Sequence, residues 1–207
     1  MRKIFVFMGL VYVFFINSGC PKACIEANYF FAVNAQITPD LDSVKVGDTI
    51  FLTSSFSNKL TDVSTGNMVD YSNATGIGSS LSVFKLIKGD TIATDALFDF
   101  NYISINGRVN NNRSIPRPDG VQQLTYQELN ENYVLKIGLI PKHKGIYGLG
   151  LQNGTSIGRK NSRSCEKAAF DISYTNTNQH FYLLTEWKPD NILNDFGEKR
   201  GYAFKVY

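Results

Sequence analysis

Imidazole, thiol and charge are all scarce in this 207-residue chain. Two histidines and three cysteines are too few for a zinc cage built from Cys and His alone, and no metal or other cofactor is expected. Charged residues make up 19% of the sequence, and 21 Lys+Arg against 18 Asp+Glu leave +3. That bias is too small to point to nucleic acid or to an acidic lipid surface. There is no His-Glu-x-x-His, so the helix-borne zinc-protease motif is missing. Long hydrophobic runs are missing too, apart from one at the start. What is plentiful is apolar and aromatic: 43% hydrophobic, with 11 Tyr and 15 Phe. A chain of this composition folds rather than staying disordered, and its length fits one domain or a small two-domain arrangement.

The single long run follows Met1-Arg2-Lys3 and extends from Ile4 to Ile16, interrupted only by Gly9. It falls short of the roughly 20 residues that span a bilayer and has the length of a signal-peptide core. An exported protein is expected, with residues 1–19 removed. Loss of Arg2 and Lys3 leaves 19 basic against 18 acidic residues, or +1. The stretch Asn17-Ser18-Gly19-Cys20 resembles a bacterial lipobox, in which small residues precede the cysteine that is lipidated. Ser18, Gly19 and Cys20 match; Asn17 stands where Leu is usual, as in the looser boxes of Bacteroidota lipoproteins. The resemblance implies lipidation at Cys20, a tether over residues 20–26, and anchorage in the cell envelope, at the outer membrane. Three thiols in an exported chain leave an odd one. With Cys20 acylated, Cys24 and Cys165 remain to pair in an oxidising compartment. The alternative is a pair involving Cys20 and one reactive thiol.

Beyond residue 26 the pattern is strand after strand, pointing to a single β-rich domain over 27–207. Residues 28–37 alternate over their second half and break at Thr38-Pro39-Asp40, as a half-buried strand meeting a turn would. Ser43 to Leu52 reads as a short edge, a Gly47-Asp48 turn and a strand, and Leu81 to Ile87 as a strand with a Lys88-Gly89-Asp90 hairpin signal before Thr91 to Phe100. Two more runs, Tyr133 to Ile140 and Gly145 to Leu151, flank the turn Pro141-Lys142-His143-Lys144. Short strands spaced by turns argue for a sandwich or barrel. Val44-Lys45-Val46-Gly47-Asp48-Thr49-Ile50 resembles the lead-in to the second strand of immunoglobulin-like bacterial extracellular domains. Pro141 to Leu149, with its Gly-x-Tyr-x-apolar order, resembles their tyrosine corner. Leu149 stands where antibody domains carry the second inter-sheet cysteine, and Trp187 lies outside this segment. The resemblance implies a mainly β, immunoglobulin-like antiparallel β-sandwich over 27–152; the residue pattern beyond it adds a mixed α/β tail, 165–207, expected to pack on the sandwich.

In that tail Phe170, Ile172 and Tyr174 alternate, Asn176-Thr177-Asn178 offers helix caps ahead of Phe181 to Trp187, Pro189 suits the start of a second short helix, and Gly201 to Tyr207 alternates as a closing strand. Two polar stretches, Asn106 to Gln123 and Asn153 to Ser164, read as long loops. Within the second, Gly154 to Lys160 superficially resembles a phosphate loop, but only three residues separate its glycines and Asn161 follows Lys160.

No residue set points firmly to catalysis, and the chain is expected not to be an enzyme. His143 sits between two lysines, and His180 lies beside Phe181, without a nucleophile partner in view. The pairs Asp40/Asp42, Asp95/Asp99, Glu128/Glu131 and Asp190/Asp195 keep open a carbohydrate-active hydrolase, and Asp40, Asp42 and Asp48 a Ca²⁺ held with backbone carbonyls. Tyr102, Tyr126 and Tyr133 could form a sugar-stacking platform, and Arg159, Lys160 and Arg163 could meet lipid headgroups. Asp42-Ser43-Val44, Asp48-Thr49-Ile50 and Asp90-Thr91-Ile92 resemble O-glycosylation sites of exported Bacteroidota proteins. Asn73, Asn112 and Asn153 head N-x-Ser/Thr sequons. The leading expectation is a lipid-anchored envelope protein that serves as a binding or structural accessory, with a glycan or an envelope protein as its partner, held to the membrane through its N-terminal lipid. The alternatives are the hydrolase and a soluble secreted adhesin.

Overall fold

The structure, a computed structural model, describes residues 27–87, 93–110, 121–160, 166–176, 179–185 and 200–207. In chain order its strands are β1 (Tyr29–Thr38), β2 (Ser43–Val44), β3 (Ile50–Ser57), β4 (Lys59–Thr61), β5 (Met68–Asp70), β6 (Ala74–Thr75), β7 (Gly78–Leu86), β8 (Thr94–Asp95) and β9 (Phe100–Asn106). There follow β10 (Arg108–Asn110), β11 (Val121–Thr125), β12 (Gln127–Leu129), β13 (Asn132–Pro141), β14 (Gly145–Leu151), β15 (Gly154–Thr155), β16 (Gly158–Arg159) and β17 (Ala168–Tyr174). A single turn of helix, α1 (Tyr182–Thr185), precedes β18 (Gly201–Val206).

These strands form a two-layer, immunoglobulin-like β-sandwich. In the first sheet β7 is central, with β8 and the β10–β11 pair on one side and β14 and β15 on the other. Beyond β14 lie β18 and then β2; beyond β15 lie β17 and then β1. The second sheet runs from the end of β1 through β3 to β13, whose far side is shared by β9 and β12. β1 therefore belongs to both layers: residues 29–35 pair with β17, and residues 36–38 with β3.

Period-two alternation explains the first strand. Phe31, Val33, Ala35 and Ile37 are buried while the residues between them face out. The facing layers fill the space between them with aromatics. Phe56 of the second sheet meets Phe170 of the first at 5.6 Å between ring centroids, and Phe31 lies 5.5 Å from Phe170. At the other end Phe100, Tyr147 and Phe204 make a second group, with centroids 5.0–6.1 Å apart. Six buried tyrosines, Tyr71, Tyr126, Tyr133, Tyr147, Tyr174 and Tyr202, have their phenol pKa raised chiefly by burial, Tyr126 and Tyr133 to about 12. A raised phenol contributes stability that is complete below the unfolded value of 10.0 and is lost as pH rises through the folded values. Phenolate absorbance and loss of near-ultraviolet ellipticity are thus expected to rise together above pH 10. Phenolate forming in these six residues with the ellipticity intact would contradict the packing.

Several expectations are corrected. The sandwich is not wholly antiparallel, because β1 pairs with β17 and β2 with β18 in parallel. Parallel partners come from distant parts of the chain, so local pattern carries no sign of them. The run Thr91 to Phe100 is not one strand. Among its described residues only Thr94–Asp95 pairs with β7, and a 3-10 turn at Leu97–Asp99 then delivers the chain to the other sheet. Asp95 Oδ1 accepts from Leu97 N at 3.1 Å at the start of that turn. The turn 141–144 joins strands of different sheets, and here the expected tyrosine corner is present: the Tyr147 hydroxyl lies 3.0 Å from His143 O and 2.8 Å from Asp99 Oδ2.

The two long polar stretches are not continuous loops. Residues 108–110 pair with β11, β15 wedges between β7 and β17, and β16 pairs with β6. Asn176 caps no helix. Its carboxamide clamps Ile37, accepting from N and donating to O, both at 2.8 Å. β18 is buried at every residue but Lys205 instead of alternating. Its outer face is covered, with Ala203 packed among Phe84, Leu86 and Leu184 of α1. Trp187 and the second expected helix, from Pro189, lie outside the described residues.

Under that cover Gly148 leaves the space that the Phe84 ring occupies; an added Cβ would overlap the ring. Gly148→Ala is therefore expected to destabilise the fold by about 1–3 kcal/mol through overpacking, read as a lower urea midpoint with an unchanged slope. An unchanged midpoint would mean that Phe84 moves away freely.

Candidate binding face

A strand that changes sheets leaves one partner before it fully gains the other, and its backbone groups must be satisfied meanwhile. At the switch point in β1 side chains do this. Ser54 Oγ donates to Asn34 O at 2.6 Å, Thr175 Oγ1 to Ala35 O at 3.3 Å and Thr53 Oγ1 to Gln36 O at 3.3 Å. Thr175 N also donates to Ala35 O at 2.8 Å. Beside the switch point lies a cavity of about 440 Å³ lined by Asn34, Gln36, Thr53, Ser55, Asn106 and Lys136, with Ala35, Ser54, Val134, Leu135 and Thr175 completing it.

Carboxamides and hydroxyls dominate this hollow, with a single cation and no carboxylate, imidazole or thiol among its lining residues. Lys136 Nζ sits 5.0 Å from the Phe51 ring centroid, within cation–π range. The chemistry available is hydrogen bonding and attraction of partial negative charge. No group in it has the pairing of base and nucleophile that acyl or glycosyl transfer needs. Around the hollow the outer face of the second sheet is exposed. Ile103 and Ile105 of β9 are 47% and 49% accessible, and Ile103 lies across from Gly138 of β13. Among the described residues β9 pairs with no strand other than β13, and a strand edge of this kind can take up a further segment.

The remaining sequence candidates disperse. Asp99 receives the Tyr147 hydroxyl and an ion pair from Lys85 at 3.4 Å, and Asp95 serves the 3-10 turn, so this pair is structural. Asp40 Oδ1 accepts from the Tyr202 hydroxyl at 3.0 Å and lies 3.3 Å from His180 Nε2. Asp42 is held below the usual carboxylate range first by the Tyr182 hydroxyl, at 2.6 Å, and then by Ser43. Asp48 accepts from Lys45 N at 2.8 Å. With these separate duties the three do not converge on a cation, and no cluster of three metal-ligating side chains occurs among the described residues. Tyr126 and Tyr133 are buried, and the Tyr133 hydroxyl donates to Tyr71 O at 2.7 Å. Tyr102 donates to Leu97 O at 2.9 Å. Burial inside alternating strands, rather than the neighbouring polar loop, decides the place of Tyr126 and Tyr133, and no stacking platform forms from these three. Arg159 donates to Ser72 O and pairs with Glu166 at 3.3 Å. Arg163, Cys20, Cys24, Cys165, Asp190 and Asp195 lie outside the described residues.

One motif was passed over in the sequence. Gly154-Thr155-Ser156-Ile157-Gly158 has the Gly-x-Ser-x-Gly spacing of a nucleophile elbow. Ser156 is 2% exposed, and its Oγ lies 2.6 Å from the Tyr71 hydroxyl and accepts from Ala168 N at 2.9 Å. The serine is a structural strut between β15 and β17, enclosed where a substrate cannot reach it. The hollow was missed as well, because its residues converge only through the sheet switch of β1; scattered Asn, Gln, Ser and Thr carry no motif.

No protein-family model matches the chain, and neither does any curated protein. Among solved structures it is similar to a type II cohesin domain from the cellulosome of Acetivibrio cellulolyticus, at 8% identity, covering 69% of this chain and 84% of that one with a TM-score of 0.28. It is also similar to the second type II cohesin module of the adaptor ScaA scaffoldin of the same organism, at 13% identity, 61% and 77% coverage and a TM-score of 0.27. The CupB6 tip adhesin of Pseudomonas aeruginosa gives 14% identity, 73% and 43% coverage and a TM-score of 0.18. Similarity at this level assigns no function, and the strand pairing itself identifies the sandwich.

Proposed function

We propose that this chain is a lipid-anchored module of the bacterial cell envelope, placed in the outer membrane, that binds an extended segment of a partner protein on the outer face of its second sheet. The observation that carries the binding reading is the hollow at the β1 switch point. Its carboxamides and hydroxyls complement peptide groups, Lys136 offers a charge, and Ile103 and Ile105 beside it offer apolar contact along a strand edge that no other described strand covers. The burial of Tyr126 and Tyr133 favours protein over glycan, since a sugar ring would find no stacked pair there.

The anchor rests on the likeness of Ser18-Gly19-Cys20 to a lipobox. The Cys24–Cys165 disulfide gains support from the neighbouring chain: Asn28 N donates to Lys167 O at 2.8 Å, and Tyr29 lies across from Ala168. The two cysteines stand a few residues upstream of these paired positions.

A photo-reactive residue placed at Gln36, Lys136 or Ile103 in cells is expected to give one discrete protein adduct, and Ile103→Asp is expected to abolish the adduct formed from Gln36. The same probe at Lys205, on the other sheet, should give none. Equal labelling from Lys205 and the three face positions, or no adduct from any of them, would refute the reading.

A further inference from the structure

The three most exposed large apolar side chains among the described residues are Ile157 at 75%, Met68 at 74% and Val63 at 65%. Each of the others is 52% accessible or less. Single apolar residues on a surface are ordinary, but these three share one end of the sandwich, the end at which β1 begins. Val63 N donates to Phe30 O at 2.7 Å, and Asp62 Oδ1 accepts from Phe30 N at 2.9 Å. The turn between β4 and β5 is thereby tied to the first residues of β1. Met68 lies across from Thr61 in the same hairpin. Ile157 follows Ser156, whose N donates to Ala168 O at 3.0 Å, and Ala168 is the partner of Tyr29. Phe30, itself 48% exposed, lies in the same neighbourhood.

This end is also the one nearest the expected anchor. Seven residues, 21–27, separate Cys20 from Asn28; at roughly 3.3–3.6 Å per residue they reach on the order of 25–30 Å at full extension. A Cys24–Cys165 bridge would shorten the leash further, because Cys165 immediately precedes Glu166 at this same end. Charge does not oppose contact with a neutral interface. Lys59, Lys160 and Lys167 stand against Asp62, Asp70, Glu128 and Glu131, a balance within one charge, and Arg159 is paired with Glu166.

We infer that Val63, Met68 and Ile157, with Phe30 beside them, form a foot that inserts into the headgroup–acyl boundary of the leaflet holding the Cys20 lipid. The foot rests on the reading of Cys20 as an anchor. It would hold the sandwich at a fixed attitude, with the hollow farther along β1 clear of the bilayer, where lipid alone would leave the domain swinging on its tether. Amphipathic contact of this kind adds to an acyl anchor without spanning the membrane.

The test uses the acylated mature protein, taken from its membrane fraction and reconstituted into phosphatidylcholine vesicles with brominated acyl chains. Met68→Trp and Ile157→Trp place reporters on the foot, and Phe98→Trp, at the opposite end of the fold, is the control, each read against the parent emission. Surface positions this exposed tolerate the change. The two foot reporters are expected to lose most of their emission to bromine and the Phe98→Trp reporter to keep its own. Acylated, vesicle-bound protein whose foot reporters are no more quenched than the control would overturn the foot and leave the anchor standing. Protein recovered from the membrane without an acyl group would overturn the anchor, and the foot with it.

Discussion

Phe170→Ala is expected to destabilise the protein by about 3–5 kcal/mol, the range for deleting a fully buried phenyl ring. Phe170 lies on β17 with 1% of its surface accessible. Its ring neighbours come from three separate parts of the chain: Phe31 on β1 at 5.5 Å, Phe56 on β3 at 5.6 Å and Tyr71 at 6.3 Å. It therefore joins the two sheets beside the strand that belongs to both. Tyr71 cannot relax into the vacated space without cost, because its hydroxyl is tied to Ser156 Oγ and Glu166 O. Urea unfolding of the variant against the parent measures the loss directly. A change under about 1 kcal/mol would mean that the site collapses freely and that the aromatic cluster does not join the layers.

Replacing Cys24 and Cys165 together by serine is expected to cost about 2–5 kcal/mol. The proposed bridge would close most of the chain into one loop, and the chain-entropy treatment gives on the order of 5 kcal/mol as its upper figure. A disulfide requires Cα atoms roughly 4.4–6.8 Å apart, and paired strands run about 4.8 Å apart. Tyr29 and Ala168 are such a pair, and they follow Cys24 by five residues and Cys165 by three in the sequence. If the double serine variant unfolds at the parent's urea concentration under oxidising conditions, the pairing is wrong.

The β-sandwich was legible because its strands alternate. Phe31 to Ile37 and Phe170 to Tyr174 place every second residue in the core, and such a pattern survives without knowledge of the partner strand. The tyrosine corner was legible because its bond is local, Tyr147 to His143. What could not be read was non-local. Asn176 looks like a cap in sequence and becomes a clamp on Ile37, 139 residues away. Asp99 looks like half of a catalytic pair and becomes the partner of Tyr147 and Lys85. Ser156 sits in an elbow spacing and is enclosed by Tyr71 and Ala168. The candidate face was the least legible part, since it depends on β1 leaving one sheet for the other, and only the completed pairing reveals the gap.

An intact mass of the protein from its native membrane fraction, taken before and after reduction, bears most directly on the proposal of an anchored, disulfide-clipped envelope module. The expected species begins at Cys20, carries the mass of acyl chains, and gains two hydrogens on reduction as Cys24 and Cys165 open. A chain that begins elsewhere, lacks acyl mass, or shows no gain on reduction would contradict it.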